Sequence, residues 1–468
     1  MADLDRLFHP ESVAVIGIPS DPNKWGGGNW IETLLGLGFE GKIYPVSPNM
    51  SEFKGLRVYP SIEDIPDSID LVVISVPARF TPQVMQECAR KGVGFVQLYT
   101  AGFSEMGGRG SSLETEVAEI AVRGGVRVVG PNCMGIYCPS GRFSWRLDFP
   151  RESGAVAFLS QSGFNAVQVA TMGVAREVRF SKMISYGNAA DLNETDFLEY
   201  FAGDPETRVI TAYIEGVKDG QRFISALRRT AQVKPVIVLK GGRSKSGARA
   251  TASHTAALAG ARTIWESVLR QAGAIEVRSF DELLDIALAI LCLSAPASDG
   301  VALIGTGGGP SVVGADECED VGLTVPPLPE DVVEALRRFV PQEGASAQNP
   351  FESPFGFGQS RQQLQETMAL IASCREIASL IIHLEIDTLL HFRGERELST
   401  IIDALISAAH DCPKPVIVVL RTSGLPEDVR GTLEQQQALV ACGIPVYPTI
   451  RRAALAISKV LEYQCSRP

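Results

Sequence analysis

Short β-branched runs alternate with longer amphipathic stretches along the whole chain. Residues 12–16 (SVAVI), 42–46 (KIYPV), 71–76 (LVVISV), 95–98 (FVQL) and 127–129 (RVV) each read as a buried strand. Between them, stretches such as 82–91 (PQVMQECARK) and 112–123 space their apolar positions as a helix does. Apolar strands separated by helices predict a parallel sheet covered on both faces, so a first αβ domain ends near Gly130 and Pro131. A second set follows at 156–159 (VAFL), 178–184, 209–214 (VITAYI) and 236–239 (VIVL). After a break at 294–300 (SAPASDG), a third set runs through 301–304, 380–386, 415–420 and 445–447. The pattern predicts three αβ domains on short linkers. The second and third share a doubly wound look without enough likeness to be a repeat.

A chain of 468 residues, 45% hydrophobic, has room for about three cores at roughly 150 residues each. The net charge of −11 and the pI of 5.2 argue against a general grip on nucleic acid, which wants a basic face. A phosphate-bearing ligand stays open, because backbone N–H groups at helix N-termini hold phosphate without side-chain charge. The nine cysteines are scattered and odd in number with no CxxC pair, which predicts reduced thiols and neither a disulfide framework nor a zinc site. The opening MADLDRLFHPES lacks a secretory pattern, and apolar runs such as 284–293 are too short to span a bilayer. A soluble, cytoplasmic protein without membrane or metal is expected.

Loops after strands carry the candidate chemistry, since ligands of open αβ sheets gather at the carboxyl ends of strands. Gly17 opens a glycine-rich loop, GIPSDPNKWGGG, that leads into a helix. It suits a pyrophosphate, yet it is not G-x-G-x-x-G and no ribose-gripping acid follows, which disfavours NAD. Ser160-Gln161-Ser162-Gly163 precedes a helix and reads either as an anion site or as an ordinary N-cap. The run from Gly305 to Ser311 (GTGGGPS) allows close backbone approach, for a tight turn or for a phosphate or interdomain contact.

Of the five histidines, His9, His383, His391 and His410 read as structural. His254 lies in SHTAALAG behind the small, basic stretch GGRSKSGAR, which suggests a mobile loop presenting an imidazole. A neutral imidazole is nucleophilic and carries a phosphoryl group covalently, provided a carboxylate fixes its tautomer. Glu215, at the end of VITAYI, stands at the edge where such a partner belongs.

The ordered series VIGIPSDPNKWGG, PVSPN, VISVPA, TAGFSE, GPNCMGI, FLSQSGF, YIEGV, VLKGGRS and SHTAALAG resembles the ADP-forming acyl-CoA synthetases, relatives of succinyl-CoA synthetase, over nearly the whole chain. The resemblance implies a Rossmann-like CoA-binding domain at 1–130. It implies two flavodoxin-like domains, at 150–293 with the phosphohistidine and at 300–465. It places Gly17, Ser20 and Lys24 at the CoA phosphates, and Ser47 and Pro48 near the adenine. Val76, Pro77, Thr100, Ala101 and Gly102 fall along the pantetheine, and Asn132 falls near the thiol end. It implies that His254 is phosphorylated, that Glu215 orients it, and that Ser160, Gln161, Ser162 and Gly163 stabilise the phosphoryl group.

The family's ATP-grasp module finds no counterpart in the sequence. The resemblance therefore implies a separate ATP-grasp β subunit holding ATP or ADP and Mg2+, a hetero-oligomer, and a small carboxylic acid as co-substrate. Two departures stand out: Asn-Pro-Phe-Glu at 349–352 where Asn-Pro-Val-Asp is usual, and Phe164 where a small residue follows SQSG. The second puts acetate in question as substrate. Two competing readings are a CoA- or acyl-CoA-sensing protein that kept the fold without turnover, and a NAD-type dehydrogenase, which the missing fingerprint opposes.

Overall fold

The computed structural model describes residues 4–19, 26–255, 261–294, 296–340, 346–352 and 361–465, with backbone alone at 252–255 and 427. It divides into two compact units, residues 1–174 with 178–280, and residues 175–177 with 281–468. No helix among the described residues is long and apolar enough to cross a membrane.

The first unit holds two parallel-stranded sheets and a small antiparallel hairpin pairing Glu52–Phe53 with Leu56–Arg57, which the sequence pattern did not show. Strands β1 (Ser12–Ile16), β2 (Lys42–Val46), β3 (Leu71–Ile74), β4 (Phe95–Leu98) and β5 (Arg127–Val129) pair in parallel in the order β2-β1-β3-β4-β5. Every residue of β1, β3 and β4 is buried, as continuous apolar runs require when helices cover both faces. The helices Thr81–Lys91 and Arg109–Gly124 stop where Gly92 and Gly125 turn left-handed and close the last carbonyls. Asp70 fixes the start of β1 by accepting from the N–H groups of Glu11 (2.9 Å) and Ser12 (3.1 Å).

The second sheet comprises β6 (Gly135–Tyr137), β7 (Val156–Ser160), β8 (Phe180–Ser185), β9 (Val209–Ile214), β10 (Val236–Lys240) and β11 (Ile275–Val277), in the order β11-β10-β9-β7-β8-β6. All neighbours are parallel except β6, which adds antiparallel to β8. The sequence pattern did not show β6: three residues are too few for a period. It pairs with the second sheet although it lies between the ranges expected for the first two domains.

The two sheets of this unit are joined along the β5 edge. The Asp191 carboxylate accepts from Nε and Nη2 of Arg127 (2.9 and 3.0 Å) and from the N–H of Val128 (2.8 Å). Backbone N–H groups of Asn188, Ala190 and Leu192 donate to the carbonyls of Pro131 (3.0 Å), Gly130 (2.9 Å) and Val128 (3.0 Å).

The second unit has its own parallel sheet of β12 (Val301–Gly305), β13 (Phe351–Glu352), β14 (Ser379–Glu385), β15 (Val416–Arg421) and β16 (Val446–Tyr447), in the order β13-β12-β14-β15-β16. Its core runs from Ala302 and Ile304 through Leu380, Ile382 and Val418 to the helix Glu395–Asp411. His383, read as structural, is buried on β14 with Nε2 3.2 Å from Ser311 Oγ; burial pushes its imidazole down to about 4, so it is neutral.

In the three larger sheets the parallel strands follow one doubly wound order, in which the first strand lies between the second and the third. The chain therefore leaves the first and third strands in opposite directions, and a crevice opens between their carboxyl ends. At the first such crevice Gly17 has φ +99°, and a Cβ there would stand 2.7 Å from the carbonyl carbon of Ser75. We expect Gly17→Ala to destabilise the unit by about 1–3 kcal/mol, through strain and displacement of the 75–77 turn. A thermal melt beside CoA titration checks it: an unchanged melting temperature would contradict the close approach.

Candidate functional site

At the first domain's strand ends, Val76, Thr100 and Asn132, three of the residues expected along CoA, are linked by hydrogen bonds. Thr100 Oγ1, after β4, donates to Val76 O (2.6 Å), tying its turn to the Val76-Pro77 turn after β3. Thr100 O in turn accepts from Asn132 N (2.9 Å), so Asn132, with φ +56°, sits directly behind Thr100, Ala101 and Gly102. Ser47, buried at the end of β2 before Pro48, donates its N–H to Tyr59 O (2.9 Å). Gly17 O accepts from Gly27 N (3.2 Å), which brings the helix Gly27–Leu37 to the same edge. Ser20 and Lys24 lie outside the described residues.

At the second crevice Ser160 closes β7, and the helix Gly163–Val174 begins three residues later. Ser160 Oγ donates to Ser162 O (2.7 Å) and accepts from Ser162 N (3.2 Å), which holds the turn tight. Gln161 reaches across: its Oε1 accepts from the N–H of Glu215 and from that of Gly216 (3.0 Å) after β9. Tyr213 OH donates to Glu215 Oε1 (3.1 Å), and Lys240 Nζ donates to Glu215 O (2.7 Å) and to Gly241 O. Glu215 is thus held by its N–H, its carbonyl and its carboxylate while 3% exposed. Lys240 is equally buried, its ammonium 5.0 Å from the centre of the Trp265 ring. Burial pulls its pKa down to about 8, partly opposed by the charge of Glu215.

A cavity of about 240 Å³ lies between the turns after β4 and β5 and the turn after β7, lined by Tyr99, Ala101, Asn132, Cys133, Met134 and residues 161–164. One wall belongs to the expected CoA path and the other to the expected phosphate helix. Phe164 is exposed at the rim. Among the described residues no charged side chain lines the cavity, so an anion there would meet backbone N–H groups and the positive end of a helix.

His254 differs from expectation in its backbone. Instead of a loop, residues Lys245–Thr255 form a helix with His254 in the last turn. The physical reason is composition: alanine, lysine and arginine are strong helix formers, and Ser244 Oγ caps the start by accepting from Gly247 N (3.0 Å). The His254 side chain lies outside the described residues. Tyr213 and Lys240 escaped the sequence reading. The only available signal was a tyrosine and a lysine inside otherwise apolar strand runs, which is where buried polar groups must find partners.

Across one cavity, the turns after β4 and β5 face the N-terminal end of the helix Gly163–Val174. Residues 11–139 match the model described as CoA binding domain, and residues 153–290 the model described as succinyl-CoA ligase like flavodoxin domain. The chain is 40% identical over 351 residues to the acetate–CoA ligase [ADP-forming] II subunit alpha of Pyrococcus furiosus, covering 75% of this chain and 76% of that one. It is 35% identical over 474 residues to the I subunit alpha of the same organism, covering 98% and 97%. Its fold matches the dinucleotide forming acetyl-coenzyme A synthetase 1 of Ca. Korarchaeum cryptofilum, solved with phosphate and ADP, at a TM-score of 0.84 and 33% identity over 100% of this chain and 98% of that one. The chain belongs to the ADP-forming acyl-CoA synthetases, the family of these alpha subunits.

The depressed pKa of Lys240 gives a signed expectation. Between about pH 8 and its ordinary 10.5, the unfolded chain binds the proton that the folded one has lost. The Lys240 contribution to stability therefore rises with pH through that window, by on the order of 1–3 kcal/mol. Denaturant unfolding of wild type and Lys240→Met below and within the window measures it. Parallel pH dependences in the two proteins would contradict it.

Proposed function

We propose that this chain is the CoA-binding, phosphohistidine-carrying part of a reversible ADP-forming acyl-CoA synthetase, acting with a separate ATP-grasp subunit that holds ADP or ATP with Mg2+. A phosphate oxygen attacks the thioester carbonyl of an acyl-CoA; the C–S bond breaks, giving an acyl phosphate and CoA. A ring nitrogen of His254 then attacks the phosphorus, the P–O bond breaks, and the carboxylic acid leaves. A β-phosphate oxygen of ADP finally takes the phosphoryl group from the histidine and forms ATP.

In this reading Gly17, Ser20 and Lys24 hold the CoA phosphates, and Ser47 and Pro48 lie at the adenine. Val76, Pro77 and residues 100–102 line the pantetheine, and Asn132 meets the thiol end. Glu215 orients the imidazole, and residues 160–163 present N–H groups to the phosphoryl oxygens. Transfer of this kind depends on positioning and charge stabilisation more than on covalent help from the protein.

The observation that carries the reading is the shared cavity, with Asn132 on one wall and Gln161, Ser162 and Gly163 on the other. A thioester and a phosphate brought to one cavity are within reach of each other, the condition for acyl transfer. The three-way grip on Glu215 supports its role, because an orienting carboxylate must not move. The partner subunit is supported by the names of the relatives of comparable length, which are alpha subunits.

The test is phosphorylation by radiolabelled ATP with the ATP-grasp partner and magnesium. An acid-labile, alkali-stable label is expected on the wild type and none on His254→Ala. Label retained by the variant would remove His254 from the mechanism.

A further inference from the structure

The turn after β8 carries no phosphate-loop signature, yet it packs against Pro131 and Asn132, the second of which lines the cavity. A Cβ on Gly187 would stand 2.1 Å from Pro131 O and 2.4 Å from Asn132 O, so only glycine permits this approach. The next residue, Asn188, is 5% exposed and donates its own N–H to Pro131 O (3.0 Å).

Its side chain is a hub. Nδ2 lies 2.6 Å from Glu105 Oε2, 2.9 Å from Glu114 Oε2 and 3.1 Å from Ser104 Oγ, while Oδ1 accepts from Asn132 Nδ2 (3.4 Å). The two carboxylates fix the orientation, since reversing the amide would set an oxygen against both. Ser104 Oγ donates to Glu114 Oε2 (2.6 Å), leaving the two amide hydrogens for the two carboxylates. Glu105 Oε1 in turn accepts from the N–H groups of Gly102 (2.5 Å) and Phe103 (3.1 Å). Burial alone would raise the Glu105 carboxyl, but these hydrogen bonds outweigh it and hold it below its ordinary value. With Asn132 N on Thr100 O (2.9 Å), a closed ring of contacts runs Asn188, Glu105, Gly102, Thr100, Asn132 and back.

We propose that Asn188 is a positioning residue for CoA, clamping the 100–102 turn and Asn132 at one spacing from the phosphate helix so that the thiol end of CoA meets the phosphoryl site. The inference rests on the CoA reading above and adds to it a residue from the phosphate-side domain. The strand end that carries Asn188 lies beside β7, which carries Ser160, so the clamp refers the CoA side to the same sheet that places the phosphate helix. Charged groups near it include Glu105, Glu114 and Lys218, whose Nζ stands 3.9 Å from Glu114 Oε1, and the helix Lys245–Thr255, with Lys245 and Arg249, packs against the 104–106 turn.

The test uses the full chain with its ATP-grasp partner and compares wild type, Asn188→Ala and Asn188→Asp. Losing hydrogen bonds to two carboxylates should raise the Kd for CoA, read by calorimetry, on the order of tenfold in Asn188→Ala. Phosphorylation of the complex by ATP, which does not use CoA, should stay within about twofold of wild type. Asn188→Asp sets a third carboxylate among two, so its deficit should shrink as pH falls from about 8 to about 6 while that of Asn188→Ala stays flat. Wild-type CoA affinity in Asn188→Ala would overturn the proposal, as would CoA binding and phosphorylation falling in equal proportion. A wild-type complex that takes label but binds no CoA would instead sink the CoA reading itself.

Discussion

One side-chain oxygen, Gln161 Oε1, receives the N–H groups of both Glu215 and Gly216 and so spans the crevice between the ends of β7 and β9. Where a doubly wound sheet reverses direction, neighbouring strands send their chains to opposite faces and the turn amides lose their ladder partners. Buried amides left in that state cost about 1–3 kcal/mol each, so the crevice needs a bridging acceptor. Gln161 supplies it without charge, which leaves the N–H groups at the start of the helix Gly163–Val174 available to an anion. The same bridge sets where the Glu215 carboxylate stands. The start of this helix and the Glu215 carboxylate are therefore one construction.

The second constraint is distance between domains. Acyl transfer from a thioester to phosphate needs reacting atoms near 3–3.5 Å, and rigid positioning accounts for much of the rate such enzymes gain. The first unit joins its two parallel sheets through short, charged and backbone contacts: Asp191 on Arg127 and Val128, and the ladder from Asn188, Ala190 and Leu192 onto residues 128–131. A flexible linker would leave the 240 Å³ cavity ill-defined.

In the second unit the same strand order serves packing. A Cβ on Gly305 would meet His383 Nε2 at 2.2 Å, one on Gly308 would meet Glu352 Oε1 at 2.7 Å, and Gly307 has φ +89°. The glycines of the 305–311 run thus make room for a buried, neutral imidazole and for the Glu352 carboxylate. The Phe351 and Glu352 that depart from the usual family pattern are the two residues of β13.

The sequence by itself determined the three parallel sheets and their doubly wound class, because buried parallel strands must be continuous apolar runs. It also named Glu215 and the 160–163 turn. What it left undecided needed distance in space. β6 is too short to show a period, and Tyr213 and Lys240 are single polar residues in apolar strands whose partners come from other segments. The helical setting of His254 was hidden because small residues serve loops and helices alike, and Ser244 as a cap is visible only in place. Asn188 gains its meaning only when residues 104, 105, 114 and 132 converge on it, and convergence of segments far apart in the chain is a property of packing that no local pattern encodes.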